Sequence, residues 1–333
     1  NTSGDQNVAV GLSSLTNNST GGNNVAVGLY AGRFNTTGSK NIAVGQEALL
    51  SNTTASSNVA VGYQSQYSGT TGNSNSSLGF SALLSNTDGD RNVAVGVNAL
   101  YTFNPSSAGD TYNTAIGGYS LYSTTTGQYN TALGGDALYS NTTASDNTAV
   151  GYQSLYANTT GANNVAIGKT SLLANTTASD NVAVGEQSMK ANTTGAQNTA
   201  VGQNALQANT TASYNTAVGR SSLYYNTIGA NNVAIGTYAL ENNTTASNNT
   251  AVGYYSTGAN TTGTRNTALG YLSLRTNTTA SDNTSIGYLS MLYNTTGASN
   301  TALGSYALQA NTTASNNTAV GMQALLSNTT AAS

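Results

Sequence analysis

Residues 164–180 read NVAIGKTSLLANTTASD, and this 17-residue unit decides the fold because it recurs along the chain. Its opening motif, Asn-x-Ala-Val-Gly in the commonest form, occurs 19 times. The motif begins at Asn7, Asn24, Asn41, Asn58, Asn75 and Asn92, and then at Asn113 and every 17th residue through Asn317. The longer step from Asn92 to Asn113 places a four-residue insertion near residues 102–109. A fixed period of this length predicts stacked repeats over residues 1–333, without separate domains.

The units share a strict pattern when their positions are numbered from 1 at the Asn to 17. Position 1 is Asn, position 5 is Gly, and position 4 is Val, Ile or Leu in all 19 units. Position 3 is Ala except at Ser77 and Ser285. Position 9 is Leu or Met except at Gly32, Gln66 and Thr257. Positions 6, 7, 10 and 11 vary freely, which is typical of solvent-facing sites.

The composition of the unit argues against helices. Asn, Thr and Gly dominate it, and the apolar positions 4 and 9 lie five apart, off the helical period. Positions 2 and 4 alternate as in a strand, Gly at position 5 permits a bend, and a second short strand is expected to carry Leu at position 9. The Asn-Thr-Thr-Gly/Ala segment then closes the coil. We therefore predict an all-β fold, a parallel β-solenoid (β-roll) of 19 coils with 17 residues per coil.

Stacking at about 4.8 Å would place identical residues above one another. We expect the aliphatic residues of position 4 and the Leu of position 9 to fill a thin core, and the Asn of position 1 to form a ladder of side-chain amides. The Ala of position 3 would then face outward and allow a second chain to approach. Over the units that begin at residues 147 to 198, the predicted ladder residues are Asn147, Asn164, Asn181, Asn198, Val150, Ile167, Val184, Val201, Gly151, Gly168, Gly185, Gly202, Leu155 and Leu172.

The composition also bears on whole classes of function. Only 6% of residues are charged, and eight Lys and Arg at a pI of about 4.6 cannot form the basic stripe that nucleic acids require. No apolar run approaches the ~20 residues of a membrane span. The chain has no His and no Cys, and acids that share position 17, such as Asp146 and Asp180, are separated by unrelated residues. We expect no catalytic site, no metal and no cofactor.

The turn at positions 12–14 is the most interesting feature, because it repeats an Asn-x-Thr acceptor pattern. The candidate acceptors are Asn35, Asn52, Asn141, Asn158, Asn175, Asn192, Asn209, Asn260, Asn277, Asn294 and Asn311. One interpretation is a line of glycans; the other is turn chemistry with stacked Asn and Thr ladders. The middle Thr, as in Thr176 and Thr193, is the most constant turn residue, which favours a Thr ladder or sugar on the Thr hydroxyl over Asn linkage alone.

Two groups of proteins carry similar motifs. Residues 147–161, NTAVGYQSLYANTTG, resemble the repeats of environmental bacterial surface proteins and phage tail-fibre proteins. Residues 113–117, NTAIG, more distantly resemble the head repeat of YadA-like trimeric autotransporter adhesins, whose units are shorter. The resemblance extends over nearly the whole chain. It implies a left-handed parallel β-roll in an exported fibre or adhesin.

These observations predict a structural segment of an extracellular fibre at a cell surface or on a virion. Neither end of the chain has an atypical capping coil, so we expect either that further sequence flanks this segment or that copies stack end to end. The thin core and the Ala row of position 3 also lead us to expect lateral packing of copies. Covalent glycans are further expected partners. The alternative is an adhesin or tail-fibre shaft that binds surface glycans, for which the 21 tyrosines offer stacking groups. Ice binding is a remote alternative, because the regular Thr rows lie in turns.

Overall fold

The structure is a computed structural model that describes residues 2–105 and 109–330. Within these residues the chain contains strands and turns and no helix. Nineteen three-residue strands occupy positions 2–4 of the 19 units, and they form a parallel β-solenoid. The predicted fold class is therefore confirmed, whereas the left-handed sense stays a prediction. Part of the predicted insertion, residues 106–108, lies outside the described residues.

The chain divides into two compact parts, here called the first unit (residues 1–164) and the second unit (residues 165–333). Each of them contains several of the 17-residue repeats. The strands of the first are β1 (Val8–Val10), β2 (Val25–Val27), β3 (Ile42–Val44), β4 (Val59–Val61), β5 (Ser76–Leu78), β6 (Gly89–Asp90), β7 (Val93–Val95), β8 (Gly109–Asp110), β9 (Thr114–Ile116), β10 (Thr131–Leu133) and β11 (Thr148–Val150). The strands of the second are β12 (Val165–Ile167), β13 (Val182–Val184), β14 (Thr199–Val201), β15 (Thr216–Val218), β16 (Val233–Ile235), β17 (Thr250–Val252), β18 (Thr267–Leu269), β19 (Thr284–Ile286), β20 (Thr301–Leu303) and β21 (Thr318–Val320).

Within each unit, consecutive coils pair in parallel and in strict register. Ala26 of β2 lies opposite Ala43 of β3, and Ala200 of β14 lies opposite Ala217 of β15. The short strands β6 and β8 pair with each other on either side of the insertion. The register therefore resumes after the insertion, and β7 pairs directly with β9.

The core consists of positions 3, 8 and 9. The Ala of position 3 is fully buried, as at Ala183 and Ala200, and the Ala or Ser of position 8 lies beside it. Leu155 and Leu172, at position 9, are also fully buried. The prediction that Leu at position 9 fills the core is confirmed, and the Ala of position 3 takes the place predicted for position 4.

The aliphatic row at position 4 faces outward, so the prediction that it fills the core is wrong. Ile167 and Val201 are 39% and 37% exposed, and Val150 and Val184 are half-buried. Strand alternation places positions 2 and 4 on one face and position 3 on the other, but it does not say which face is inward. Because Leu at position 9 also points into the coil, only a side chain as small as Ala fits on the facing strand. The Ala row is therefore not an outward surface for a second chain.

Position 9 does not lie on a second strand, which corrects the prediction of two strands per coil. Leu155 and Leu172 have φ values of 53° and 49°, in the left-handed region, so this part of the coil is a tight turn. The predicted bend at position 5 is confirmed. Gly168 has a φ of 129°, and a Cβ there would lie 2.6 Å from the carbonyl oxygen of Gly185 in the next coil. Backbone conformation and close stacking together explain why this position is always Gly.

Candidate functional site

The Asn of position 1 bonds to backbone groups. The Oδ1 atom of Asn181 accepts the backbone N–H of Asn198 at 3.0 Å, and the Nδ2 atom of Asn198 donates to the carbonyl of Ala212 at 2.9 Å. A weaker amide-to-amide contact of 3.2 Å accompanies them. The side chain thus connects neighbouring coils and also closes its own coil. These bonds account for the constancy of this Asn without any further function.

The Asn of position 12 forms the side-chain amide ladder that was predicted for position 1. The Nδ2 atom of Asn192 donates to the Oδ1 atom of Asn175 at 2.9 Å and to the carbonyl of Gly195 at 2.9 Å. Both amide hydrogens are therefore used inside the protein, and the side chain is fully buried. Such stacked amides stabilise parallel in-register coils.

This burial favours turn and ladder chemistry over Asn-linked sugar, the two interpretations of the Asn-x-Thr pattern. An Asn-linked glycan replaces one hydrogen of Nδ2 and needs solvent beside it, and neither condition is met on the folded coil. Every predicted acceptor is at most 2% exposed; these are Asn35, Asn52, Asn141, Asn158, Asn175, Asn192, Asn209, Asn260, Asn277, Asn294 and Asn311. Position 12 is therefore a structural ladder in the folded chain.

The Thr of position 13 also has a structural role. The hydroxyl of Thr193 donates to the carbonyl of Thr210 at 3.0 Å, and the hydroxyl of Thr176 donates to the carbonyl of Thr193 at 3.3 Å. The same coil-to-coil bond recurs in both units, for example from Thr36 to Thr53 at 3.0 Å. Both candidate hydroxyls at this position, those of Thr176 and Thr193, lie on half-buried residues. The bond explains why the middle Thr is the most constant residue of the turn.

The Thr of position 14 is the exposed residue of the turn. This position is Thr in 16 of the 19 units, and every one of these Thr residues except Thr126 is exposed. Within the described residues, the Thr71 hydroxyl bonds to Asp88, and no other hydroxyl of this row makes a hydrogen bond. The sequence analysis did not single out position 14. The pattern that could have identified it is the retention of Thr in most units, whereas freely variable positions carry many residue types.

The outer sheet face, defined here as positions 2 and 4 of the coils, carries no charged residue. Position 2 holds Val, Ile, Thr or Ser, and position 4 holds Val, Ile or Leu. In the second unit Val218, Ile235 and Leu269 are 36%, 40% and 37% exposed. An exposed row of aliphatic side chains is typical of an interaction site.

The tyrosines, which are scattered in the sequence, form ladders in the structure. Tyr101, Tyr122, Tyr139 and Tyr156, all at position 10, stack with ring centres 5.1–5.3 Å apart. Burial among these rings raises the pKa of Tyr122. A second ladder in the other unit joins Tyr254, Tyr271 and Tyr288 at position 6. Because stacked rings cover one another, the interior rings of a ladder offer their edges, not their faces, to a ligand.

Charged groups are dispersed, and within the described residues two ion pairs join adjacent coils, Arg91 with Asp110 and Arg265 with Asp282. Arg265 donates from Nε and from an η nitrogen to the two carboxylate oxygens of Asp282, at 2.6 and 2.9 Å. This hydrogen bonding lowers the pKa of Asp282, although both side chains are exposed. Across residues 2–105 and 109–330, no three His, Cys, Asp or Glu residues cluster in a way that would hold a metal ion. The same residues contain no helix able to cross a membrane.

Comparison with known proteins leaves the family open. No protein-family model matches the chain, and no curated protein sequence matches it. The resemblance to tail-fibre and surface-protein repeats therefore stays a prediction that rests on the motif itself.

Proposed function

We propose that this chain is a structural element of an extracellular fibre. The observation that supports the proposal best is the direction of its hydrogen bonds, which run mainly between coils. In the second unit, Thr216 N–H donates to the carbonyl of Asn232 at 2.8 Å, and Leu223 N–H donates to the carbonyl of Ala239 at 3.0 Å. The buried Asn and half-buried Thr ladders add side-chain bonds in the same direction.

This bonding pattern suits a fibre because each coil is stabilised by its neighbours and presents nearly identical edges to both sides. Stability then accumulates with coil number, as in other repeat proteins that are close to one-dimensional. Because every coil offers similar N–H and C=O groups along its edges, a coil of another copy can pair with such an edge as the neighbouring coil does. End-to-end stacking of copies is therefore the first mode of self-association that we propose.

Lateral self-association is the second mode, and it would use the outer sheet face in place of the Ala row of position 3. Lys substituted on that face would have to be desolvated in a lateral contact, which is costly for an unpaired charge. Val218→Lys combined with Leu269→Lys is therefore expected to disperse lateral bundles. Gln203→Lys is the matched control, because position 6 is exposed and already carries Lys at Lys169.

Cryo-electron microscopy of the purified chain tests both modes. We expect filaments with an axial spacing of about 4.8 Å. Bundled filaments that separate in the double Lys variant, but not in Gln203→Lys, would support lateral contact through the outer sheet face. A monomer at every concentration tested, without filaments, would contradict the fibre proposal.

Any sugar on the turns is proposed to sit on the exposed hydroxyls of position 14, such as those of Thr177, Thr194 and Thr211. This placement leaves the Asn and Thr ladders of positions 12 and 13 intact. Mass spectrometry of the native protein is the test, with release of O-linked sugar by mild base. Recovery of the turn peptides at their unmodified masses would show that the turns are bare.

A further inference from the structure

One coil of the second unit, residues 249–265, departs from the repeat on the surface that carries positions 10–13. Position 10 is Gly258, where neighbouring coils carry Glu241 and Arg275, and position 11 is Ala259. Position 9 is Thr257 in place of the usual Leu. Gly258 is the departure, since Ala is common at position 11, and both residues are smaller than their neighbours in the adjacent coils, which leaves a depression there.

The main part of the depression, here called the Tyr225 groove, has a volume of about 610 Å³. Tyr225 and Asn242 line it together with three Thr residues of position 13, Thr227, Thr244 and Thr261. Most of this space is open to solvent. The Tyr225 groove is therefore a surface cleft against which part of a ligand can lie, not an enclosed pocket.

A second depression of about 180 Å³ adjoins the Tyr225 groove and shares Asn242 and Ala259 with it. Tyr255 and Arg275 line this part, with the Arg275 guanidinium 5.6 Å from the centre of the Tyr255 ring. A Cβ at Gly258 would lie 2.8 Å from Cδ1 of Tyr255. Gly at this position thus allows the Tyr255 ring to lie where it does, and it also opens the depression.

Tyr225 differs from the laddered tyrosines in a way that matters for binding. Its ring meets Tyr224 edge-on, at 4.6 Å and 83°, and its residue is 49% exposed. The faces of the laddered rings are covered by stacking, whereas the Tyr225 ring makes an edge contact with Tyr224. An exposed aromatic ring held in place combines an apolar surface with a polar hydroxyl at low entropic cost.

The polar groups of the groove complement hydroxyl-rich ligands. The hydroxyls of Thr227, Thr244 and Thr261 each donate to a carbonyl of the next coil, so their oxygens can still accept hydrogen bonds. Asn242 uses Nδ2 to donate to the carbonyl of Gly258 at 2.9 Å, and its amide has a second hydrogen to donate. A ring, a row of acceptors and an amide match the apolar and hydroxyl faces of a sugar.

We propose that the Tyr225 groove binds an oligosaccharide, with a sugar ring against Tyr225 and its hydroxyls on Asn242 and the Thr row. The exposed Arg275 lies at the end where an acidic sugar would place its carboxylate. This inference does not depend on the fibre proposal, because a monomeric chain would contain the same groove. It places the glycan contact on the shaft itself.

Isothermal titration calorimetry of the full chain tests the proposal, with maltotetraose, chitotetraose and tetragalacturonate as probes. We expect at least one probe to bind, and Tyr225→Ala to weaken that binding at least tenfold. Tyr293→Ala is the matched control, because Tyr293 has the same unit position and is 53% exposed but does not line the groove. Circular dichroism of each variant checks that the fold is retained.

Arg275→Ala distinguishes the kind of sugar. If tetragalacturonate binds the unsubstituted chain and Arg275→Ala weakens that binding, the ligand is acidic. If only a neutral probe binds the unsubstituted chain, and it binds Arg275→Ala equally well, the ligand is neutral. Absence of binding by all three probes up to about 10 mM would overturn the proposal, since weaker affinity is not specific recognition. Equal loss of binding in Tyr225→Ala and Tyr293→Ala would overturn it as well.

Discussion

The interior of the coil and its outer sheet face are built from similar residues and have different roles. Ala234 and Ile235 are neighbours on β16, yet Ala234 is fully buried and Ile235 is 40% exposed. The larger aliphatic residue is the one outside. In a narrow solenoid the size of a side chain therefore decides whether it enters the core, because the facing Leu of position 9 already fills most of the space.

The interior and the outer sheet face also differ in how well they tolerate substitution. The interior is crossed by buried Asn ladders and packed Ala and Leu rows, so a change in volume or polarity there disturbs adjacent coils. The outer sheet face borders solvent and has room for different aliphatic sizes, as its Val, Ile and Leu show. Substitutions in one coil therefore offer a direct test of the comparison.

The largest expected effect is loss of a buried Leu. Leu240→Ala should destabilise the chain by about 2–5 kcal/mol, since it removes a fully buried side chain and leaves a cavity. Ile235→Ala, in the same coil and half-exposed, should cost well under half as much. Denaturant midpoints, with hydrogen exchange to localise the change, give the comparison. Equal losses in the two variants would contradict the assignment of inner and outer rows.

Enlarging the small inward residue should be the next largest effect. Ala234→Leu adds volume between Ala217 and Ala251 of the adjacent strands, and overpacking of this kind costs about 1–3 kcal/mol. Val218→Leu, at position 4 of the preceding coil, should be nearly neutral because that side chain reaches solvent. The same denaturation measurement applies. Tolerance of Leu at residue 234 would show that the coil is wider than the structure indicates.

Gln66 is an interior residue whose replacement should stabilise the chain. It occupies position 9, it is fully buried, and neither polar atom of its amide has a hydrogen-bond partner within the described residues. Gln66→Leu restores the usual residue and should stabilise the chain by about 1–3 kcal/mol, the cost of an unsatisfied buried polar group. Leu83→Gln, at position 9 of the next coil, is the reverse control. A lower denaturant midpoint for Gln66→Leu would mean that the amide has a partner that Leu removes.

The smallest effect concerns Glu241, outside the core at position 10. Partial burial raises the pKa of Glu241 above the ordinary value of 4.5, because burial disfavours the charged carboxylate. The folded chain therefore binds this proton more tightly than the unfolded chain does. Its stabilising contribution is complete below the unfolded-state pKa and is lost as pH rises through the higher folded-state pKa. Glu241→Gln should therefore unfold at a slightly higher denaturant concentration than wild type at pH 7, with the gap closing on acidification to pH 3. A gap that widens on acidification would reverse the sign.

Most of the fold could be predicted from the sequence, and less of the candidate sites. Stacking of Asn192 and Thr193 with their counterparts in adjacent coils could be inferred, because identical residues stack in any in-register solenoid. The sequence did not show that the Asn of the Asn-x-Thr pattern is buried. In the structure Asn192 is fully buried, and both hydrogens of its side-chain amide are bonded within the protein. The Tyr225 groove was equally hidden, since Tyr225, Asn242 and Ala259 come from three successive coils.

By itself the sequence determined the period, the all-β solenoid, the bend at Gly168 and the burial of Leu172, because each follows from spacing or from a residue type with few alternatives. Only the tertiary structure decided which strand face is inward, which polar rows are buried and where the surface opens. Alternation along a strand is symmetric between its two faces. The choice between Ala166 and Ile167 for the interior depends on the side chains that meet them from across the coil.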